Sequence, residues 1–286
     1  MSARPPKVSI SEITTVSASF REDLEAYRAA GVEGIGIWEF KLGDDAADRE
    51  ALRGSGLVAT TAVPSVPSIL PLPLMPGPPE PEARVEALCA SVRRLAAFEP
   101  TSVLCLTGPC GQLAEREARR LVVEGLQAIA AEAESVGVRF GVEPTQRRFG
   151  SDWTLVSSVP ETLDLLAEVD RPEVGIMFDT WHLWNSETVL EDVERHVGRF
   201  TGVHVADWRD PTREVNDRVF PGEGVAGLPG LLAALEQAGW EGFLDIEVFS
   251  DTALGGSLWA LDASEAARRA RAGLMAVLDQ SNSPSR

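Results

Sequence analysis

The sequence predicts an α/β fold, a single (β/α)8 barrel, on three observations. Eight short apolar, β-branched runs recur along the chain, each followed by a loop and then by a longer stretch with helical spacing. The 286 residues match the roughly 250 that such a barrel uses as one domain. The first run, Ile10-Ser11-Glu12-Ile13, passes into Thr14-Thr15-Val16-Ser17 without the glycine-rich phosphate turn that an open, doubly wound sheet usually carries there.

The strand candidates fall at residues 7–13, 34–40, 57–63, 102–107, 138–143, 174–179, 201–206 and 243–249. Helical spacing appears at 20–30 before Gly31, and at 81–98. It recurs at 115–135, where Leu121, Ile129 and several alanines form an apolar stripe that Gly137 stops. Further helices are expected at 160–169, 190–197, 228–238 before Gly239, and 263–278. Such alternation means parallel strands joined by helical crossovers, in one barrel domain over residues 1–286. Residues 64–81 interrupt the rhythm with eight of the chain's 19 prolines. Lacking backbone donors, this loop after the third strand is expected to stay out of the sheet and run extended over the surface. It is either a plain surface loop or a wall over the C-terminal barrel end, with Ile69, Leu70, Leu72, Leu74 and Met75 facing a substrate or a neighbouring subunit.

Composition narrows the function classes. Hydrophobic residues at 44% and charged residues at 24% suit a globular chain with a sizeable core. Lys and Arg number 26 against 44 Asp and Glu, a formal charge of −18 that repels nucleic acid and anionic membranes. Cys89, Cys105 and Cys110 are too few and unpatterned for a disulfide scaffold or thiolate zinc site, so a reducing cytoplasm is expected. No secretory core or membrane-length apolar stretch is evident. The apolar rim offers a surface for a homodimer.

Chemistry is sought where barrel strands end, because these ends converge on one site. The fifth strand ends in Glu143, the sixth in Asp179, the seventh carries His204 and the eighth carries Glu247. Each ionisable group interrupts an apolar run and is costly to bury unless it is paired or bound to a cation. Singly, such a carboxylate is often a helix cap or an ion-pair partner, and a lone histidine a satisfied core residue. Together they form an oxygen-rich shell for one divalent ion, best Mn2+, with Mg2+, Co2+ or Zn2+ as alternatives.

The chain resembles the xylose isomerase-like TIM barrels, the sugar phosphate isomerase/epimerase family that also contains AP endonuclease family 2-like proteins. The resemblance spans nearly the whole chain. It rests on Gly141-Val142-Glu143-Pro144, Phe178-Asp179-Thr180-Trp181-His182, Val203-His204-Val205, the 217–224 segment Asp-Arg-Val-Phe-Pro-Gly-Glu-Gly, and Asp245-Ile246-Glu247. It implies that Glu143, Asp179, His204 and Glu247 ligate the metal and that His182 and Arg218 contact substrate oxygens. The expected enzyme is therefore a metal-dependent isomerase or epimerase acting on a ketose, keto-sugar or cyclic polyol ketone through an enediolate. Glu143 and Glu247 would be the catalytic acid/base pair, one for each face of the reacting carbon. A lyase or dehydratase that eliminates from an inosose or 3-oxo-glycoside shares the first proton abstraction and is the alternative.

Trp38, Trp153, Trp181, Trp184 and Trp208 all fall at or after strand ends, and of these Trp38, Trp181 and Trp208 are assigned to substrate. A pocket so aromatic suits a cyclic polyol ketone, or a 3-oxo-glycoside with an aromatic aglycone, better than a linear ketose. Glu39 reads as a structural carboxylate. Arg147, Arg148, Arg209 and Arg213 read as ion-pair partners rather than phosphate contacts, and Cys105 and Cys110 lack the basic neighbours of a nucleophile. Three histidines cannot build the histidine-rich multi-metal cluster of an apurinic endonuclease. The intact ligand quartet argues against a barrel that merely binds sugar.

Overall fold

The structure, a computed structural model, describes residues 6–73, 75–147 and 153–281. Eight parallel strands close into the expected barrel: β1 (Lys7–Ser11), β2 (Gly34–Trp38), β3 (Val58–Val63), β4 (Ser102–Cys105), β5 (Phe140–Val142), β6 (Val174–Asp179), β7 (Phe200–Val205) and β10 (Phe243–Ile246). Between the last two lies an antiparallel pair of two-residue strands, β8 (Asp207–Trp208) and β9 (Arg218–Val219). Closure comes from β1 against β10, in register from Lys7 opposite Phe243 to Ile10 opposite Ile246. Barrel strands have a packed interior on one face and helices on the other, so they are buried on both, and all six residues of β6 are buried.

The helices are α1 (Phe20–Ala30), α2 (Asp45–Ser55), α3 (Pro81–Ala96), α4 (Glu115–Val136), α5 (Val159–Val169), α6 (Thr180–Leu183), α7 (Val189–His196), α8 (Leu228–Gln237) and α9 (Ala263–Ser281). Start and stop chemistry is explicit in α1. Ser19 and Glu22 form a reciprocal capping box, and Gly31 closes the helix at φ 78°. Helix α2 is the crossover missing from the segments read off the sequence. Asp44 caps it through the amides of Ala46 and Ala47, but only Asp48 and Leu52 are buried, so its apolar stripe is too thin to register. Leu88, Val92 and Leu95 of α3 and Val122, Leu126 and Ile129 of α4 are almost wholly buried in the main core. Truncating such a leucine to alanine costs on the order of 2–5 kcal/mol.

The proline-rich segment departs from expectation by pairing with the chain just beyond β4. Ile69 N donates to Leu106 O at 3.1 Å, Leu70 N to Thr107 O at 2.9 Å, and Leu106 N to Pro67 O at 2.7 Å. Ser68, Ile69 and Leu70 lie between prolines and keep their amides, and a proline carbonyl still accepts. The buried Arg84 of α3 fastens the same stretch: Nε donates to Ser68 O at 2.8 Å, Nη2 to Ser68 Oγ at 2.7 Å and Nη1 to Pro78 O at 3.0 Å. Ile69 and Leu70 consequently belong to the main core, and only part of the strap faces the barrel mouth. Leu74 lies outside the described residues. No described helix is long and apolar enough to cross a membrane.

Candidate active site

Strand register brings the predicted ligands together. His204 on β7 is in register with Asp179 at the end of β6 on one side and with Asp245 of β10 on the other. Glu143 and Glu247 each lie just beyond their strands and extend the ladders, Glu143 N donating to Cys105 O and Glu247 N to Val205 O, both at 3.0 Å. Glu143, Asp179, His204 and Glu247 are all buried, and one potential ligand atom from each lies within 4.8 Å of the others.

His204 Nδ1 is 3.1 Å from Glu143 Oε1 and 3.4 Å from Glu247 Oε2. Burial works against its charged form, but the charges of Glu247 and Glu143 prevail and push the imidazole up to about 10. Burial, reinforced by Glu143 and Asp179, pushes Glu247 up to about 7 against the pull of His204 and Arg218. Asp179 goes the other way. Burial alone would raise it, but Arg218, His182 and His204 together hold it below the usual carboxylate range. The donor set fits a divalent cation: three carboxylates against one guanidinium leave two negative charges in a buried space, an imbalance that a dication neutralises once His204 is a neutral ligand.

His182 and Arg218 adjoin this cluster. Arg218 Nη1 donates to Asp179 Oδ2 at 2.8 Å and lies 3.4 Å from Glu247 Oε2. Its guanidinium carbon is 4.6 Å from the ring centres of both Trp181 and Phe249, which flank it. Burial keeps His182 below its ordinary pKa despite the nearby Asp179, so the ring is neutral. The amide of Gln146 donates to Nδ1 at 3.3 Å and Arg218 Nη2 lies 3.4 Å from Nε2, so a donor faces each ring nitrogen.

A cage of amides places Arg218. The Asp207 carboxylate of β8 accepts from Trp208 N at 2.8 Å, Ala226 N at 2.9 Å, Gly222 N at 3.0 Å and Gly224 N at 3.1 Å, folding the Pro-Gly-Glu-Gly loop around itself. A Cβ on Gly224 would stand 2.4 Å from Trp208 O, so only glycine closes this loop without displacement. Asp217 is bound by Arg209 at 2.9 Å and Arg213 at 2.6 Å, which makes these arginines ion-pair partners.

A cavity of about 250 Å3 opens onto the cluster. Glu143, Thr145, His182, Asn216, Arg218 and Glu247 form its polar end, and Trp38, Trp153, Phe249 and Trp259 its aromatic side. Val63, Leu104 and Leu106, with Pro67, Leu72 and Met75 of the strap, complete the apolar wall. Two tryptophans assigned to substrate are corrected. Trp181 and Trp208 are each 1% exposed, pack on one another with ring centres 4.9 Å apart, and do not line the cavity. Trp181 in α6 and Trp208 in β8 turn their rings back into the core; Trp181 stacks behind Arg218. Trp184 likewise packs on Trp208 and does not line the cavity. Thr145, Asn216 and Trp259 line the site without having been singled out. Trp259 had a positional signal, since it follows the last strand within the loop at the same barrel end. Glu39 is structural, accepting from Ser65 N, Ser91 Oγ and Arg94. Cys105 is fully buried and pushed up to about 12 by desolvation, which rules it out as a thiolate. Arg147 pairs with Glu161, and Arg148 lies outside the described residues.

The model of the xylose isomerase-like TIM barrel family matches residues 24–276. An inosose isomerase of Bacillus licheniformis is 30% identical over 131 residues, 44% of this chain and 46% of that one. An inosose dehydratase of Geobacillus thermodenitrificans is 31% identical over 116 residues, 35% and 39% of the two chains. These alignments span less than half the length of either relative. Among solved structures, a Sinorhizobium meliloti protein superposes with a TM-score of 0.83 at 23% identity, covering 94% of this chain and 98% of its own. A Methylomonas D-allulose 3-epimerase superposes at 0.74 with 20% identity, covering 96% and 100%. A further structure, named as IOLI protein with a bound zinc atom, superposes at 0.79 with 19% identity, covering 97% and 99%. At these identities the superpositions establish the fold.

Proposed function

The chain belongs to the xylose isomerase-like TIM barrel family, and we propose that it is a divalent-metal-dependent isomerase or epimerase of a keto-sugar or cyclic polyol ketone, working through an enediolate. The observation that carries this reading is the meeting of two buried carboxylates, Glu143 and Glu247, with His182 and Arg218 at the polar end of one cavity. Glu143, Asp179, His204 and Glu247 would hold the ion, Mn2+ first, with Mg2+, Co2+ or Zn2+ as alternatives. When bound, it supplies an electrophile for a carbonyl and its neighbouring hydroxyl.

The protein's own groups supply the proton traffic. Glu247, buried beside Glu143 at the polar end of the cavity, takes a proton from the carbon beside the ketone and gives it back. Glu143 serves the opposite face. His182 and the Arg218 guanidinium hold the oxygens on which charge develops, Arg218 as a permanent donor. The formal charge of −18 and the three unpatterned cysteines support a small sugar or cyclitol as substrate and a reducing cytoplasm as setting, and the apolar rim supports a homodimer contact.

A lyase outcome shares the first step. The relatives named above include a dehydratase as well as an isomerase, which keeps elimination in play. The deciding experiment incubates metal-loaded protein with inososes, 3-oxo-glucose and ketohexoses in D2O under NMR and mass spectrometry. Deuterium entering beside the carbonyl with an isomeric product supports the reading. Loss of water moves it to a lyase, and no exchange with any of the four cations contradicts both.

A further inference from the structure

Resting on that reading of the polar end, we propose that the substrate is two-faced: an oxo-sugar or oxo-cyclitol ring carrying a flat, apolar substituent, rather than a free polyol. A free polyol presents hydroxyls on every side, and each one buried without a partner is costly. This cavity meets hydroxyls on one side only. Its six hydrogen-bonding side chains include Glu143 and Glu247 of the quartet, with His182 and Arg218 beside them, whereas Trp38, Val63, Leu72, Leu104 and Leu106 line it from a separate apolar cluster backed by Ile13 and Met177.

Two of the three indoles that line the cavity, Trp38 and Trp259, do not soften that wall. Trp38 Nε1 donates to Ser11 Oγ at 2.9 Å and Trp259 Nε1 to Val248 O at 3.3 Å, so both N–H groups are spent on the protein and the rings offer carbon surface to the cavity. Phe249 bridges them, 5.7 Å from Trp38 and 6.2 Å from Trp259 between ring centres. The strap closes the same side with Met75, which is half-buried and unbranched and adapts to a flat partner. A ring of benzene to indole size, attached to the oxo ring near the reacting carbon, would leave water for carbon on every side. An aryl glycoside oxidised to its ketone has this shape.

The test uses unreactive probes. Binding of phenyl and methyl β-D-glucopyranoside to the metal-loaded protein is measured by calorimetry, alongside exchange in D2O on the corresponding 3-oxo-glycosides. The phenyl compound should bind about 100-fold more tightly, equivalent to about 2.8 kcal/mol at roughly 1.4 kcal/mol per tenfold. Met75→Gln, on the strap and outside the core, and Val63→Thr, which inserts one hydroxyl at constant shape, should each cut that ratio at least several-fold. Equal binding, or no detectable binding of the phenyl compound, overturns the proposal, and so does a ratio that neither substitution moves. Exchange on a free inosose with equal glycoside binding would leave the proton-transfer reading standing without this one. Selective phenyl binding with no exchange on either oxo form would leave the wall standing without the proton-transfer reading.

Discussion

Arg218 and Asp179 share a 2.8 Å ion pair at the floor of the cavity, with both side chains at least 94% buried. Such a pair is expensive to break, because removing one partner strands the other charge in a low-dielectric interior. Arg218→Met should therefore lower metal-free stability by about 3 kcal/mol while also removing a donor to the developing oxyanion. Arg218→Lys keeps the charge but not the fork, and should retain most of the stability while kcat falls by roughly 10²- to 10³-fold. Thermal unfolding beside steady-state kinetics separates the two effects.

Metal binding should release protons, with affinity rising as pH rises. In the metal-free protein His204, at about 10, is protonated at neutral pH, and Glu247, at about 7, is partly so; both must be deprotonated to ligate. Calorimetry of Mn2+ binding at neutral pH in buffers of different ionisation enthalpy should show at least one proton released. The raised imidazole has a further consequence. Its contribution to metal-free stability is complete below its unfolded value of 6.5 and is lost as pH rises through about 10, whereas the metal-loaded protein should lack this alkaline loss.

Asp207→Ala should loosen the loop that positions Arg218. Four backbone amides lose their shared acceptor, and the cost in stability is on the order of 3 kcal/mol. Asp207→Asn should fall between the two, since one end of an amide cannot accept. Chemical denaturation of the three proteins gives the order directly.

The buried quartet was legible because Glu143, Asp179, His204 and Glu247 each interrupt an apolar strand near the same barrel end, and strand register then leaves them little choice but to meet. The aromatic assignments were less legible. Whether a tryptophan near a strand end faces the cavity, as Trp38 at the end of β2 does, or folds back, as Trp181 in α6 and Trp208 in β8 do, depends on the local geometry after the strand rather than on position along the sequence. Thr145 and Asn216 reach the site from loops without any periodic pattern. The two-residue strands β8 and β9 are too short to leave a period, and the strap's pairing with Leu106 was hidden by the prolines that flank Ser68, Ile69 and Leu70.

Arg84→Lys should weaken the strap at a distance from the reacting groups. It forfeits the guanidinium's three simultaneous bonds to Ser68 and Pro78. KM should rise roughly tenfold, about the equivalent of one lost bond, with a smaller change in kcat. Initial-rate kinetics on whichever ketone the exchange screen identifies would show that split.

The central claim is that Glu247 moves the proton at a carbon beside a carbonyl. Its most direct test is NMR-detected exchange in D2O with Glu247→Gln, after the variant's metal content has been matched to that of the native protein. The account predicts that the native protein washes deuterium into the substrate and that the metal-matched variant does not. Exchange retained by the variant at a rate close to native would contradict it.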